Sequence, residues 1–160
     1  MPIQKLRQFL DAHLVKYIVI THSKAYTSQG IAATAHISGN QLAKTVMLNK
    51  DGELCMAVLP ASKLVNLAAF AKFTNLGDVS LATEREFKDR FPDCEVGAMP
   101  PFGNLYGLRV YADASLARDR DIAFNAGSHL ELVQLAYVDF ARLVEPTVAD
   151  FAARSTNRAA

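Results

Sequence analysis

Apolar residues recur at helical spacing at the start of the chain, at Ile3, Leu6, Phe9, Leu10 and Leu14, and predict an amphipathic helix ending near His13. The pattern then becomes the β-branched run Tyr17-Ile18-Val19-Ile20-Thr21, which predicts a strand. That strand delivers Thr21, His22 and Ser23 to its end, where polar side chains often line a site. Helical spacing returns over Ser28 to His36, with Thr27 or Ser28 as cap, Ile31, Ala32 and Ala35 as the buried stripe, and Ser38-Gly39-Asn40 as the stop.

Leu42 to Leu48 and Glu53 to Leu59 read as two strands joined by Asn49-Lys50-Asp51-Gly52, because Asp-Gly supplies the positive φ values that tight hairpins need. Alternation places Leu42, Lys44, Val46 and Leu48 on one face and Ala43, Thr45 and Met47 on the other. Lys44 thus sits among apolar neighbours, and either snorkels to water or faces a pocket that supplies an anion. Pro60 to Lys63 stops the second strand, and Ser62 is expected to cap a helix carrying Leu64, Val65, Leu67 and Ala68. A short strand over Asp78 to Leu81 precedes a short helix opened by the capping box of Thr83 and Glu86. Leu105 to Ala112, Asp121 to Phe124 and His129 to Leu135 read as strands, the last two separated by Asn125-Ala126-Gly127-Ser128. A final helix spans Tyr137 to Leu143, capped from Asp139 onward, and 146–160 is expected to be a loosely held tail. Helices interleave with hairpins in this order, which favours a mixed or antiparallel sheet around a core over a doubly wound parallel one.

With 160 residues, 51% of them hydrophobic and 21% charged, the chain suits one compact domain. Lys and Arg number 17 against 16 Asp and Glu, a net charge of +1, so any contact with nucleic acid must be local and small. No stretch approaches the about 18 uninterrupted apolar residues of a membrane helix, and the N-terminus lacks a signal-peptide pattern; the expectation is a soluble, cytoplasmic protein with no membrane partner. Cys55 and Cys94 are lone thiols without metal-ligand spacing, and no phosphate-binding glycine motif is present, so neither a metal nor a cofactor is expected.

Gly97-Ala98-Met99-Pro100-Pro101-Phe102-Gly103 is too rigid and apolar for an ordinary linker. Its prolines fix φ and cannot donate, leaving the amides of Gly97, Ala98, Met99, Phe102 and Gly103 as donors for a carbonyl or oxyanion. The alternative is a buried turn whose Phe102 plugs the core. Among the four histidines, His129 stands out because Gly127-Ser128 before it lets a bound group approach both imidazole and main chain. Ser128 and His129 are adjacent on a strand and point to opposite faces, which argues against a nucleophile–base dyad. Cys94 has no evident cation to lower its pKa, and the carboxylates near Asp113, Asp119 and Asp121 suit turns and caps.

Lys44 in Leu42-Ala43-Lys44-Thr45-Val46, the strand end Ala57-Val58-Leu59-Pro60-Ala61, the GxxxP loop from Gly97 to Pro101 followed by Phe102-Gly103, Asp113, and Gly127-Ser128-His129 together resemble the YbaK / prolyl-tRNA synthetase-associated editing-domain family. The resemblance covers about 15–145 within a single domain of 1–160. It implies an α/β (α+β) fold with a mixed, largely antiparallel, barrel-like sheet surrounded by helices, and an activity in trans: hydrolysis of the ester of mischarged tRNA carrying a small amino acid. Lys44, Gly97 and His129 would be the catalytic set. Lys44 would contact the phosphate or ribose of the acceptor end, Gly97 and Ala98 would hold the ester through main-chain donors, and His129 would shape or polarise the amino-acid pocket. His22, Thr45, Ala98, Met99, Pro101, Phe102, Gly103, Gly127 and Ser128 would bind substrate. The implied partners are the aminoacyl-tRNA acceptor end and an aminoacyl-tRNA synthetase, with water oriented by main chain and by the tRNA's own hydroxyl. Two other readings compete: a non-catalytic tRNA- or synthetase-binding module of the same fold, and a thiol hydrolase using Cys94.

Overall fold

The structure, a computed structural model, describes residues 3–21, 41–75 and 77–154. His22 and the helix expected over 28–36 lie outside the described residues. Helix α1 (Gln4–Ala12) buries Leu6 and Leu10 completely and ends where the His13 ring meets the Phe9 carbonyl at 2.8 Å. Strand β1 (Tyr17–Thr21) follows as expected.

Strands β2 (Ala43–Lys50) and β3 (Glu53–Pro60) pair antiparallel, with Lys44 opposite Leu59. Their turn has φ of 52° at Asp51 and 87° at Gly52, the two positive values that match a tight turn to the strand twist. The helix expected from Ser62 begins later. Residues Lys63–Val65 form strand β4, and the side chain of Asn66 caps helix α2 (Leu67–Phe73) by accepting from the Ala69 amide at 3.0 Å. The difference is tertiary: β4 is held as a strand by a partner at the far end of the chain. Strand β5 (Val79–Leu81) and helix α3 (Glu84–Phe87) come next, the latter opened by the anticipated Thr83/Glu86 box. The strand expected from Leu105 starts at Arg109 instead, because Gly103–Tyr106 is a 3-10 turn closed by Gly107 at φ 68°. Strand β6 (Arg109–Asp113), a second 3-10 turn (Ala114–Arg118), strands β7 (Asp121–Asn125) and β8 (Glu131–Ala136), helix α4 (Tyr137–Val144), and strands β9 (Thr147–Ala149) and β10 (Ala152–Arg154) complete the order.

The strands form a five-stranded sheet ordered β5-β2-β3-β6-β9, a three-stranded sheet ordered β1-β8-β7, and the ribbon β4-β10. Pairing is antiparallel except for β3 with β6 and β6 with β9. The fold is therefore mixed and largely antiparallel, as expected, with separate sheets in place of a closed barrel. A single parallel bridge between Leu42 and Ala123 ties β2 to β7. The principal core lies between the two larger sheets, where Phe102 is fully buried with ring centroids of Phe9, Phe124 and Phe140 at 6.0, 5.5 and 5.8 Å. A second core under α2 joins Leu48, Leu59, Phe70, Tyr111 and Phe151.

The stretch expected to be a loose tail is, up to Arg154, part of the fold. β9 extends the large sheet, β10 pairs with β4, and Phe151 between them is 1% exposed. The anchor is Asp113, itself 3% exposed. One carboxylate oxygen accepts from the amides of Phe151 and Ala152 at 3.0 and 2.9 Å, and the other accepts from the Ser115 amide at 3.1 Å and from its hydroxyl. Burial alone would raise the pKa of this carboxyl, but the hydrogen bonds from Ser115, Ala152 and Phe151 outweigh it and the net shift is downward.

Asp113→Ala leaves buried amides without an acceptor and is expected to cost about 3 kcal/mol or more, read from the denaturant midpoint. Because the folded pKa lies below the unfolded one, the stability Asp113 contributes is fully present above the unfolded value of about 3.9 and is lost as pH falls through the folded value. The acid limb of the stability curve should therefore flatten in Asp113→Ala.

Candidate active site

The β7–β8 connection, Ala126 to Leu130, meets the segment Glu95–Ala98 main chain to main chain. The Gly127 amide donates to the Ala98 carbonyl at 2.9 Å, and the Glu95 amide donates to the Gly127 carbonyl at 2.8 Å. Gly127 holds φ at 100°, and a Cβ there would lie 2.2 Å from Cγ2 of Ile3, which packs over the loop while its amide donates to the Ala126 carbonyl at 3.1 Å. Only glycine fits.

His129 is 7% exposed, and its Nε2 lies 2.8 Å from the Val96 carbonyl. A carbonyl only accepts, so Nε2 donates and the ring holds the loop in place. Its backbone amide donates to Glu95 Oε2 at 3.4 Å. Gly97 lies against the imidazole with φ at 84°, where a Cβ would stand 3.5 Å from Cε1. Gly97, Ala98, Gly127, Ser128 and His129 thus lie on two loops that meet. Ser128 Oγ accepts from the Leu130 amide at 3.2 Å, a local turn bond that leaves no dyad with His129.

The proline loop is less open than expected. Its Ala98 amide donates to the Glu95 carbonyl at 3.0 Å, so it is not presented to a ligand. Ala98, Met99, Pro101, Phe102 and Gly103 are all buried, with Met99 and Phe102 inside the principal core. Gly103 is a packing glycine, since a Cβ would lie 2.6 Å from Val110 Cγ2. The reading in which Phe102 plugs the core is the correct one for this half. Only Gly97 is exposed, and its amide has no acceptor among the described residues.

Lys44 reaches the same region through the β2–β7 bridge. Two residues beyond Leu42 and Ala123 stand Lys44 and Asn125, each on the bridge's side of its strand, with Asn125 leading into Ala126-Gly127. Burial holds the Lys44 pKa below the ordinary lysine value, and the ammonium has no hydrogen-bond or ion-pair partner among the described residues. Thr45 faces the opposite way, with Ala43 and Met47 of the principal core. Asn125, which sequence reasoning did not single out, is 6% exposed and its Oδ1 has no hydrogen-bond partner among the described residues. The sequence carried no signal for it, since asparagine closing a strand is an ordinary turn residue. Thr21 is paired with Glu131, and the Gln41 carbonyl accepts from the Ala123 amide.

Cys94 does not belong to it. Burial pushes its thiol up to about 11, against a smaller opposing effect of the Tyr106 hydroxyl, so the thiolate a nucleophile needs is scarce at neutral pH. Among the described residues no group of three His, Cys, Asp or Glu is placed to hold a metal.

His129 thus fixes the Gly97 loop through the Val96 carbonyl, and the Leu42–Ala123 bridge ties the strand that bears Lys44 to the strand that leads into Gly127. The aminoacyl-tRNA editing domain family matches residues 22–143, and the chain belongs to it. It is a hydrolase of the aminoacyl-tRNA ester. Among relatives, the multifunctional Ser/Thr-tRNA deacylase ProXp-y of Escherichia coli K12 is 28% identical over 153 residues, covering 92% of this chain and 91% of that protein, and the O157:H7 protein matches equally. The fold recurs in crystal structures of the hypothetical protein APE2540, with a TM-score of 0.84 at 18% identity over 94% of this chain and 100% of that one. It recurs also in a proposed trans-editing enzyme for prolyl tRNA synthetase, with a TM-score of 0.79 at 17% identity over 96% of each chain.

Gly97→Ala and Gly107→Ala impose the same kind of strain, and each is expected to cost about 1–2 kcal/mol. Gly107 has φ of 68° and open space around its Cα, away from the site. Only Gly97→Ala should also depress ester hydrolysis; equal activity of the two variants removes Gly97 from the site.

Proposed function

We propose that this protein acts in trans in the cytoplasm, clearing small amino acids from mischarged tRNA, with Lys44, Gly97 and His129 as its working residues. The observation that carries the reading is the stitched pair of loops: an exposed glycine amide, fixed by His129 through Val96, next to the strand face that bears Lys44. The acceptor end approaches along β2, its phosphate or ribose held by the ammonium. The Gly97 amide faces the ester carbonyl. Water adds to that carbonyl, the oxyanion forms against the amide, and collapse breaks the bond to the ribose oxygen, which leaves with a proton as the free acid forms.

An aminoacyl ester is already activated, so one or two fixed donors, each worth about 10²–10³ in rate, suffice. Among the described residues His129 donates through Nε2 and acts by position, not as a strong base. Asn125 is the polar group available to the amino acid's own ammonium or hydroxyl, because its carbonyl oxygen is buried without a partner among the described residues. Serine and threonine are the substrates we favour, in keeping with the name of the Escherichia coli relative. Prolyl-tRNA synthetase is the synthetase partner we favour, in keeping with the proposed editing enzyme that shares the fold.

A panel of tRNAs mischarged with alanine, serine, threonine or cysteine tests the reading. Hydrolysis of at least one well above the buffer rate is expected; none above buffer overturns it, and tRNA binding without hydrolysis then identifies a binding module. Lys44→Ala should lose about 10²-fold or more in kcat/KM while remaining folded. The depressed Lys44 pKa sets a sign: the ammonium is charged below that value and neutral above it, so KM should rise at a pH where an ordinary lysine is still charged. Lys44→Arg, charged throughout, should abolish that alkaline rise.

A further inference from the structure

Beside the site, Gln41, Pro60, Lys63, Ser115, Arg118, Asp119 and Arg154 line a cavity of about 550 Å³. Three cations face one carboxylate there, on a chain whose net charge is only +1. Lys63 and Arg154 are moreover directly opposed in the register of β4 and β10. Like charges directly opposite each other on paired strands destabilise the pairing. None of the three cations makes an ion pair among the described residues, Asp119 included. The arrangement is also built. Asp113 binds the amides of Phe151 and Ala152 at the start of β10 and the amide of Ser115 in the turn that carries Arg118, so one buried carboxylate fixes the frame bearing two of the cations.

We propose that Lys63, Arg118 and Arg154 form a second anion site that grips the phosphodiester backbone of the tRNA acceptor arm, upstream of the phosphate or ribose held at Lys44. The inference rests on the deacylase reading above. Its geometry follows from β2 and β3: Pro60 of the cavity wall is paired with Ala43, the neighbour of Lys44, and Gln41 lies three residues before it. Three residues of chain span at most about 10 Å, so the cavity wall begins within that distance of Lys44. A stacked strand advances about 3.4 Å per nucleotide, so the cavity lies within reach of the phosphates next upstream of the Lys44 contact. An anion bridging Lys63 and Arg154 also removes the repulsion built into the ribbon.

The test uses the full chain and three variants: Lys63→Gln, Arg118→Gln and the triple Lys63→Gln/Arg118→Gln/Arg154→Gln. Binding of uncharged tRNA, followed by fluorescence anisotropy against salt, is independent of hydrolysis. In the triple variant the slope of log Kd against log salt should be shallower by about 0.7–0.9 for each phosphate no longer neutralised, with Kd weaker by about tenfold at low salt. The KM for mischarged tRNA should rise with kcat retained, while hydrolysis of an aminoacylated adenosine, which has no upstream phosphate, should be unchanged. Thermal midpoints should stay level or rise, because the substitutions relieve a like-charge pair. Unchanged slope and KM in the triple variant overturn the proposal, as does an equal loss on the aminoacylated adenosine. A wild type that binds tRNA with the expected slope difference but hydrolyses nothing overturns the deacylase reading and leaves the anion site standing. Relief of binding by millimolar inorganic phosphate as effectively as by tRNA itself would show a site for the free ion and overturn the assignment to the nucleic-acid backbone. Arg118→Gln lies outside the β4–β10 pairing, so its partial effect keeps the test valid if the triple variant fails to fold.

Discussion

Two hydrogen bonds between main chains, from Gly127 to Ala98 and from Glu95 to Gly127, hold the site together. They join segments about thirty residues apart in sequence and use no side chain, so they constrain residue identity only through the backbone angles they require. Gly127 meets that requirement at φ 100° and Gly97 at φ 84°. Once the two loops are joined, the imidazole of His129 falls within reach of Val96, and the exposed face of Gly97 is fixed relative to β7. Lys44 then needs only the short bridge from β2 to β7 to come alongside.

This division suits the chemistry. On the proposed reading the reacting carbonyl is served by backbone groups whose positions cannot vary with rotamer, while lysine and arginine side chains supply charge. A main-chain cradle reads little of the amino-acid side chain, and apolar walls separate substrates differing by one methylene by only about 1–3 kcal/mol. On the proposed reading, discrimination falls to polar groups such as the buried Asn125 carboxamide, which stay unpaired when a substrate lacks the matching group.

What could be read in the sequence follows the range of the interactions. The Asp51-Gly52 turn, the Thr83/Glu86 box and the alternation that sets Lys44 apart from Thr45 are local, and the sequence alone located each of them. The β4 strand and its extension β10 were not legible, because the stability of each lies in a partner about ninety residues away and neither is longer than three residues. Ser62 was an adequate cap in isolation, yet Asn66 took the role once β4 claimed the residues between. At the site, Gly97 and His129 were legible as a likeness to a family, but their physical relation, ring to loop carbonyl, was not. Half of the proline loop proved to be core because Phe102 had three aromatic partners on three different elements. Asn125 went unnoticed because asparagine at the end of a strand is an ordinary turn residue, and only its burial marks it out.

Ile3 rests on Gly127 and donates to Ala126, so the first helix of the chain is seated on a loop made more than a hundred residues later. A ribosome delivers α1 first and its seat late. During synthesis Leu6 and Leu10, wholly covered in the finished protein, have no complete surface to cover them until β7 and the glycine loop have emerged. Seating α1 and joining the Gly97 and Gly127 loops thus need the same late-made segment, and a nascent chain short of Gly127 lacks both the seat and His129.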